Sequence, residues 1–482
     1  MTTSTLPNLI GGEFVDAAPD ASIDVTNPAD GSIVGAVPAM TAADLGAVFD
    51  AAEAGARTWR AAGPLGRGRI LLDAAGLIRD EATDLVELIV AEMGKTRAEA
   101  TIEVAKSAEF FEYYGGLGRQ PFGELVPDGR PGTFAMQTRE PVGIVVLITP
   151  WNDPLLTPAR KLAPALISGN AVVIKPATET PLITLRLAEI LHRAGLPAGA
   201  LGTVTGRGSQ IGDALVADPR IAAVSFTGST EVGLGLQRAM AGRSVRVQTE
   251  MGGKNAAVVL ADADLDLAVP VLVAGSFGQA GQRCTATSRL IVERAVADEV
   301  RTRLAEAVGA LRVGAGGAEG TQMGPVVSRS AQDDIRRRVS AGIAEGAEVI
   351  GRAPVDPALL ESGCFVEPLL VTAEQGNSLW REEIFGPVLT MLVVDSLDEA
   401  IAAVNDSAYG LSSAVFTRSL DTAFHFVDAV DTGQVSVNQP TSGWDIHHAF
   451  GGFKESGSPF KEQGTEALRF YTRVKTAAVR TH

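Results

Sequence analysis

Cysteine is almost missing from this chain of 482 residues; Cys284 and Cys364 are the only two. Two thiols in that length cannot form a disulfide framework, which points to a reducing compartment. Histidine is nearly as scarce, with five in all, and neither a Cys-x-x-Cys nor a His-x-x-x-His pair occurs. No metal site is expected. The adjacent pair His447-His448 is read as loop. A basic excess is missing too. Lys and Arg number 41 against 57 Asp and Glu, a formal charge of −16. That balance argues against nucleic-acid and anionic-membrane partners, which need a basic face. Long apolar runs are absent; the stretch 143–149 falls far short of the roughly 20 residues a membrane helix needs. Residues 1–7 show neither a basic nor an apolar leader segment, so no signal peptide is read and a cytoplasmic protein is expected.

What is present is the composition of a globular protein, 46% hydrophobic and 20% charged, long enough for two or three domains. Helical spacing of apolar residues marks 44–60 and 70–93. Residues 125–140 carry Pro127, Gly129, Pro131 and Gly132 and read as an extended hairpin. From 143 onward, short apolar runs (143–149, 171–175, 201–205, 222–226, 245–249) alternate with helical segments (158–167, 181–194, 209–217, 231–241). That alternation predicts βαβ units and a parallel, Rossmann-like sheet that binds ligands at its strand carboxyl ends. A second α/β region follows, with strands at 256–260, 289–292, 369–371, 389–394 and 434–437. The apolar tail 476–479 calls for a pairing strand.

Four places could carry chemistry. Cys284 follows Gly281-Gln282-Arg283, an accessible position beside a cation, both of which favour thiolate; the alternative is a buried small hydrophobe. Glu250 closes the last strand of the parallel sheet, ahead of Gly252-Gly253-Lys254, where it could serve as a general base or be a solvated strand end. Asn152 follows a strand and could donate to an oxyanion, or could be a turn residue between prolines. Phe226-Thr227-Gly228-Ser229 closes a strand and opens a helix, offering backbone N–H groups to a phosphate. The generic G-x-G-x-x-G pattern is absent; Gly206-Arg207-Gly208 imitates it, but the third glycine, Gly212, comes one residue late.

Together these pieces resemble the aldehyde dehydrogenase superfamily over nearly the whole chain, from Asn27-Pro28 to Lys475. Eight motifs arrive in family order: Pro150-Trp151-Asn152, Lys175-Pro176, Phe226-Thr227-Gly228-Ser229, Glu250-x-Gly252-Gly253-Lys254, Gly281-Gln282-x-Cys284, Glu383-Ile384-Phe385-Gly386-Pro387, Asn405 with Gly410-Leu411, and Phe450-Gly451-Gly452-Phe453-Lys454-x-Ser456-Gly457. The resemblance implies that Cys284 is the nucleophile, that Asn152 and the Cys284 N–H stabilise the oxyanion, and that Glu250 activates water. It implies NAD or NADP as coenzyme. Lys175 and Glu383 would hold the riboses, Ser229 a phosphate, and Trp151 and Phe385 the nicotinamide half. Thr149, Thr178, Glu179, Gly208, Gly212, Gly233, Glu250 and Gly252 complete the expected coenzyme set, with Lys254 in support.

Two positions depart from the family pattern. Thr178 stands where NAD-preferring members commonly place a glutamate for the adenine ribose, with Glu179 one residue later. NADP is therefore expected to be tolerated beside NAD. Asp153 stands where the family usually has Phe. If Pro154 begins a helix, Asp153, Leu156, Thr157 and Arg160 share one face, which by analogy lines the substrate tunnel opposite Trp444 and Phe450, with Arg283 nearby. Arg160 also matches an arginine of semialdehyde dehydrogenases, where it can meet a substrate carboxylate. A polar or carboxylated aldehyde is the expected substrate, with an aromatic or short aliphatic aldehyde as the competing reading. Asp153 and Arg160 could instead simply neutralise each other.

A cysteine hydrolase signature does not surround Cys284. A CoA-acylating relative would generally lack Glu250, and an inactive binding relative should have lost Cys284, Glu250 or Asn152. The implied fold is α/β, with a Rossmann-like coenzyme domain (1–120 and 141–252), a second α/β catalytic domain (253–443), a tunnel loop (444–457) and a small β oligomerisation arm (121–140 and 458–482). A homo-oligomer, dimer or tetramer, is expected, because an apolar edge strand needs a partner.

Overall fold

The structure is a computed structural model that describes residues 5–16, 21–120 and 122–480. Residues 1–4 of the leader reading, residue 121 of the expected arm and its last two residues, 481–482, lie outside the described residues.

A five-stranded parallel sheet occupies the first half of the chain. Its strands are β1 (Ile144–Ile148), β2 (Ala171–Lys175), β3 (Leu201–Thr203), β4 (Ile221–Thr227) and β5 (Arg246–Glu250). Their spatial order is β5-β4-β1-β2-β3. The order reverses between β1 and β4, which makes their carboxyl ends the crevice where such sheets bind ligands. β1 is apolar at every position because both faces are covered. Val145 and Leu147 join a core with the helices α2 (Gly63–Asp80), α3 (Ala82–Met93), α4 (Arg97–Gly116), α5 (Leu156–Ile167) and α6 (Leu182–Arg193). Ile144 and Val146 face α1 (Leu45–Ala61) and α7 (Gly208–Ala217).

The single helix expected over 70–93 is two helices. The break falls at Glu81 (φ −99°, ψ 14°). The Glu81 carboxylate pairs with Arg186 (3.0 Å) and Arg193 (2.5 Å) of α6, an anchor that apolar periodicity does not reveal.

The second sheet has seven strands: β6 (Asn255–Val259), β7 (Thr287–Glu293), β8 (Glu348–Arg352), β9 (Leu369–Thr372), β10 (Val388–Val394), β11 (Ser412–Phe416) and β12 (Gln434–Val437). Its order is β8-β9-β10-β7-β6-β11-β12, parallel except for edge strand β8. Ala257, Leu290 and Val292 pack on one face against α9 (Leu265–Phe277), and Ala256, Val258 and Ile291 pack on the other.

The apolar tail finds its partner within the same chain. Thr472–Arg480 pairs antiparallel with Thr133–Pro141, which also pairs with Gly123–Val126. Leu125, Phe134, Val474 and Val479 remain exposed on this three-stranded arm. Just before the tail strand, Ala467, Phe470 and Tyr471 enter the core of the first region. Among the described residues no helix is long and apolar enough to cross a membrane.

Candidate active site

Cys284 lies in the loop between α9 and β7. Three consecutive residues before it are left-handed, Gln279 (φ 52°), Ala280 (φ 54°) and Gly281 (φ 69°). At Gly281 a side chain is excluded twice over, because a Cβ would also fall 2.2 Å from the Gly386 carbonyl. The loop is pinned from four sides. The Gln279 N–H donates to Glu99 (2.6 Å), and Gln282 accepts the Val327 N–H (2.9 Å). Asn255 donates to the Cys284 carbonyl (2.7 Å), and Asn152 donates to the Gln282 carbonyl (3.0 Å). Cys284 is half-buried. Burial pushes its thiol up to about 12, with Arg160 as the strongest charge pulling it back down.

Glu250 ends β5 and is buried. It reaches the site because residues 449–462 fold back over the strand end. Met251 donates to Ser456 (2.9 Å) and Ser458 to Thr249 (3.1 Å). A Cβ on Gly451 (φ 149°) would sit 2.6 Å from Glu250 Oε1, so glycine keeps room for the carboxyl. Oε1 accepts from Gln248 Nε2 (3.1 Å), and Oε2 is buried without a hydrogen-bond partner among the described residues. Burial, reinforced by Glu462, raises this carboxyl far above its ordinary range; Lys161, Lys461 and Arg160 oppose the shift.

A buried polar chain continues from Glu250. Ser225 Oγ donates to Gln248 Oε1 (2.5 Å), and Lys161 Nζ donates to Ser225 Oγ (2.7 Å) and to Glu462. None of Lys161, Ser225, Gln248 and Glu462 was singled out from sequence. The one available signal was a lysine, Lys161, in an otherwise apolar helix. Burying a charge demands partners, but sequence does not say which.

The expected coenzyme residues lie at the ends of β1 and β2, in the early turns of two helices and in the segment before β10. Thr149 leaves β1 with its N–H on the Lys175 carbonyl (3.2 Å) and its buried Oγ1 without a hydrogen-bond partner among the described residues. Trp151 packs edge-to-face on Phe385 (5.4 Å), a left-handed residue at φ 51°. Lys175 is buried, which lowers its ammonium, and it donates to Pro176 (3.0 Å). Thr178 is half-buried, and its hydroxyl lies 3.4 Å from the Gly206 carbonyl; Glu179 is exposed. Gly208 opens α7, which also contains Gly212, and open space surrounds both. Ser229 is exposed at the N-cap of α8 (Thr230–Met240), and its side chain makes no capping hydrogen bond to the first turn. Gly233 meets Met251, where a Cβ would come within 2.4 Å of sulfur. Glu383 accepts the Gly253 N–H (2.9 Å) and crowds Gly252; burial raises its carboxyl to about 7 and lowers Lys254 to about 7. An unpartnered Thr149 hydroxyl, an open helix N-terminus and glycines without neighbours suit a dinucleotide.

The expected tunnel face is corrected in one respect: Asp153 and Arg160 do not neutralise each other. Asp153 pairs with buried Lys95 (2.5 Å), which also pairs with Glu103 (2.5 Å). A carboxylate at the start of α5 has a lysine closer to hand than the arginine two turns on. Glu103 caps the start of α5 through the N–H groups of Leu155 (2.9 Å) and Leu156 (3.0 Å). Thr157 is buried and donates its N–H to Asp153 (3.0 Å). Arg160 lies 4.9 Å above the Phe450 ring and 3.8 Å from Glu462. Arg283 donates to Gln279 (2.6 Å). Trp444 is half-buried, with its indole N–H buried and without a hydrogen-bond partner among the described residues. His447 and His448 are exposed, with rings 4.4 Å apart. Cys364 is buried in the second core, far from this chemistry in sequence.

Fold and site together define a class, the two-sheet α/β dehydrogenase with a thiol where the sheets meet. The model of the "Aldehyde dehydrogenase family" matches residues 14–477. The chain is 37% identical to alpha-ketoglutaric semialdehyde dehydrogenase of Bacillus subtilis, covering 99% of this chain and 98% of that protein. It is 39% identical to phenylacetaldehyde dehydrogenase of Pseudomonas fluorescens, covering 98% and 95%. Among solved structures, betaine aldehyde dehydrogenase of Staphylococcus aureus in complex with NAD+ superposes with a TM-score of 0.94 at 32% identity, covering 98% of this chain and 94% of that one. The chain belongs to the aldehyde dehydrogenase family and is an NAD(P)-dependent enzyme of it.

Proposed function

We propose that this enzyme oxidises a carboxylated, semialdehyde-like aldehyde to its acid through a covalent intermediate on Cys284. The Cys284 thiolate adds to the aldehyde carbon. The resulting oxyanion is held by the Asn152 amide and the Cys284 N–H. The bound nicotinamide coenzyme supplies the hydride acceptor; Lys175 and Glu383 would hold its riboses, Ser229 a phosphate, and Trp151 with Phe385 would flank its reactive end. Loss of hydride from the thiohemiacetal leaves a thioester. Glu250 takes a proton from water, the hydroxide attacks the thioester, and the acid departs as the thiolate re-forms. The polar chain Gln248–Ser225–Lys161–Glu462 donates toward Glu250 and holds its carboxyl in place for that step.

The observation that carries the substrate class is Arg160, the strongest charge acting on Cys284 and a cation over the Phe450 ring. Asp153 is satisfied by Lys95 and does not cancel it, and Glu462, 3.8 Å from Arg160, is shared with Lys161. The test compares 4-oxobutanoate and 5-oxopentanoate with butanal and phenylacetaldehyde. Arg160→Gln should slow all four by removing the cation that favours the thiolate, and should lower kcat/KM for the two acids by a further ~10- to 100-fold, the value of one charged hydrogen bond. Equal loss on all four would refute the reading. A cytoplasmic homo-oligomer completes the proposal, on the support of two unpaired cysteines and an arm with exposed Val474 and Val479.

A further inference from the structure

One hydrogen-bonded line runs from the interior to the residue before the thiol. Lys95 is wholly buried and donates to Asp153 Oδ1 (2.5 Å). The same oxygen accepts from Gln279 Nε2 (2.9 Å). Gln279 Oε1 then accepts from Arg283 Nε (2.6 Å). The direction of this line is fixed at both ends, because Asp153 only accepts and Arg283 only donates. An amide can present either its oxygen or its NH2 group to a neighbour. Asp153 is an anion that accepts only, so it draws the Gln279 NH2 toward itself and turns the carbonyl oxygen to Arg283. The Gln279 backbone is held in place by Glu99 (2.6 Å). Among the described residues only the Nε of Arg283 is hydrogen-bonded, which leaves its terminal nitrogens for an incoming group. Asp153 itself keeps a fifth of its side chain exposed while its partner Lys95 keeps none. The line therefore runs from the closed core to Arg283, the residue before Cys284.

We infer that Asp153 is a positioning residue for specificity: acting through Gln279, it holds the Arg283 guanidinium beside Cys284 as a receptor for an anionic group of the substrate. This rests on the semialdehyde reading for the identity of that anion. Phenylalanine at 153 would leave the Gln279 NH2 group without its acceptor, so the side chain, and Arg283 with it, would lose its anchor to the interior.

The alkylation of Cys284 by iodoacetate relative to iodoacetamide measures this cation without any aldehyde. Both reagents consume the thiolate, so their rate ratio cancels its abundance and reports the local field. Gln279→Leu changes no charge. It should lower the ratio several-fold, as should Arg283→Met, and the double variant should be no lower than Arg283→Met alone. Asp153→Phe should lower it as well, whereas mere loss of a negative charge would raise it. A ratio unchanged in Gln279→Leu, raised in Asp153→Phe, or unmoved by Arg283→Met overturns the inference. In steady state, Gln279→Leu should raise KM for 4-oxobutanoate about tenfold with kcat within threefold and butanal unaffected; equal loss of kcat on both would mark a structural role only. A wild-type enzyme without preference for 4-oxobutanoate over butanal strikes the semialdehyde reading and leaves the alkylation ratios intact.

Discussion

Asn152 donates its side-chain amide to the Gln282 carbonyl at 3.0 Å, tying the end of β1 to the loop that carries Cys284. The bond fixes the amide face, so the second N–H of the same nitrogen points in one direction relative to the thiol. Preorganised donors of this kind typically account for about 10²- to 10³-fold in kcat. Asn152→Ala should lose that much at saturating coenzyme and aldehyde. It also leaves a buried carbonyl without its donor, about 1–3 kcal/mol in stability, so Tm should fall in the same variant. A kcat within threefold of wild type would remove Asn152 from the chemistry.

The thiol has its own pH signature. Burial pushes Cys284 up to about 12 in the free enzyme. The thiolate fraction then grows tenfold for each pH unit below that value. Alkylation by iodoacetamide should keep rising from pH 7 to pH 10 without a plateau. Arg160 stabilises the thiolate, so Arg160→Gln should react more slowly at every pH. A plateau beginning below pH 8 in the wild type would show an activated thiol in the free enzyme and contradict the expectation.

Glu250 works in the opposite sense to an ordinary carboxylate. Its folded-state pKa is raised, so it carries a proton well above the usual range and becomes a base only as pH rises. Thioester hydrolysis should therefore have an alkaline limb. Lys461 favours the ionised form of Glu250. Lys461→Met should move the limb to higher pH. A limb that stays in place or moves lower would place the titrating group elsewhere. The same sign holds for folding. Stability tied to neutral Glu250 is full below the unfolded carboxyl pKa and is lost as pH rises through the folded one.

Much of this site was legible from residue order. The five strands 144–250 followed from apolar runs short enough to be strands, and their ends located Asn152, Ser229 and Glu250. β11 was missed although it lies inside the second sheet, because Ser412-Ser413-Ala414 looks like loop until β6 and β12 flank it. Partner choice was harder to read than position. Asp153 and Arg160 sit at helical spacing, yet each pairs with a residue from another element, Lys95 and Glu462. A spacing rule places residues on a face; it says nothing of what the next element brings to it. Lys95, Gln279 and Lys161 escaped notice for that reason.

Gly451 offers a steric test. A Cβ there would come 2.6 Å from Glu250 Oε1 and 2.9 Å from Lys461 Cδ, and the backbone is at φ 149°. Gly451→Ala should displace the carboxyl rather than unfold the chain, since residues 449–462 lie at the strand end and not within either sheet. Acyl-enzyme formation should persist while its hydrolysis slows, seen as a burst of NAD(P)H followed by a steady rate at least tenfold below wild type. A normal steady rate would mean that Glu250 does not need that space.

Thr178 decides how far the coenzyme can vary. Its hydroxyl lies 3.4 Å from the Gly206 carbonyl, beside the turn into α7, and the nearest carboxylate in sequence, Glu179, is exposed. A carboxylate at 178 could accept the adenine ribose hydroxyl of NAD and would repel a 2′-phosphate. Threonine does neither strongly. The wild type should therefore use NAD and NADP with kcat/KM values within about 100-fold of each other, a difference below about 2.7 kcal/mol. Thr178→Glu should shift the ratio toward NAD by tenfold or more, chiefly through KM for NADP, because repulsion of a remote phosphate weakens binding without touching the reacting carbon. A wild type that already prefers NAD by more than about 100-fold would mean that discrimination is set elsewhere. An unchanged ratio in Thr178→Glu would place the adenine ribose away from this turn.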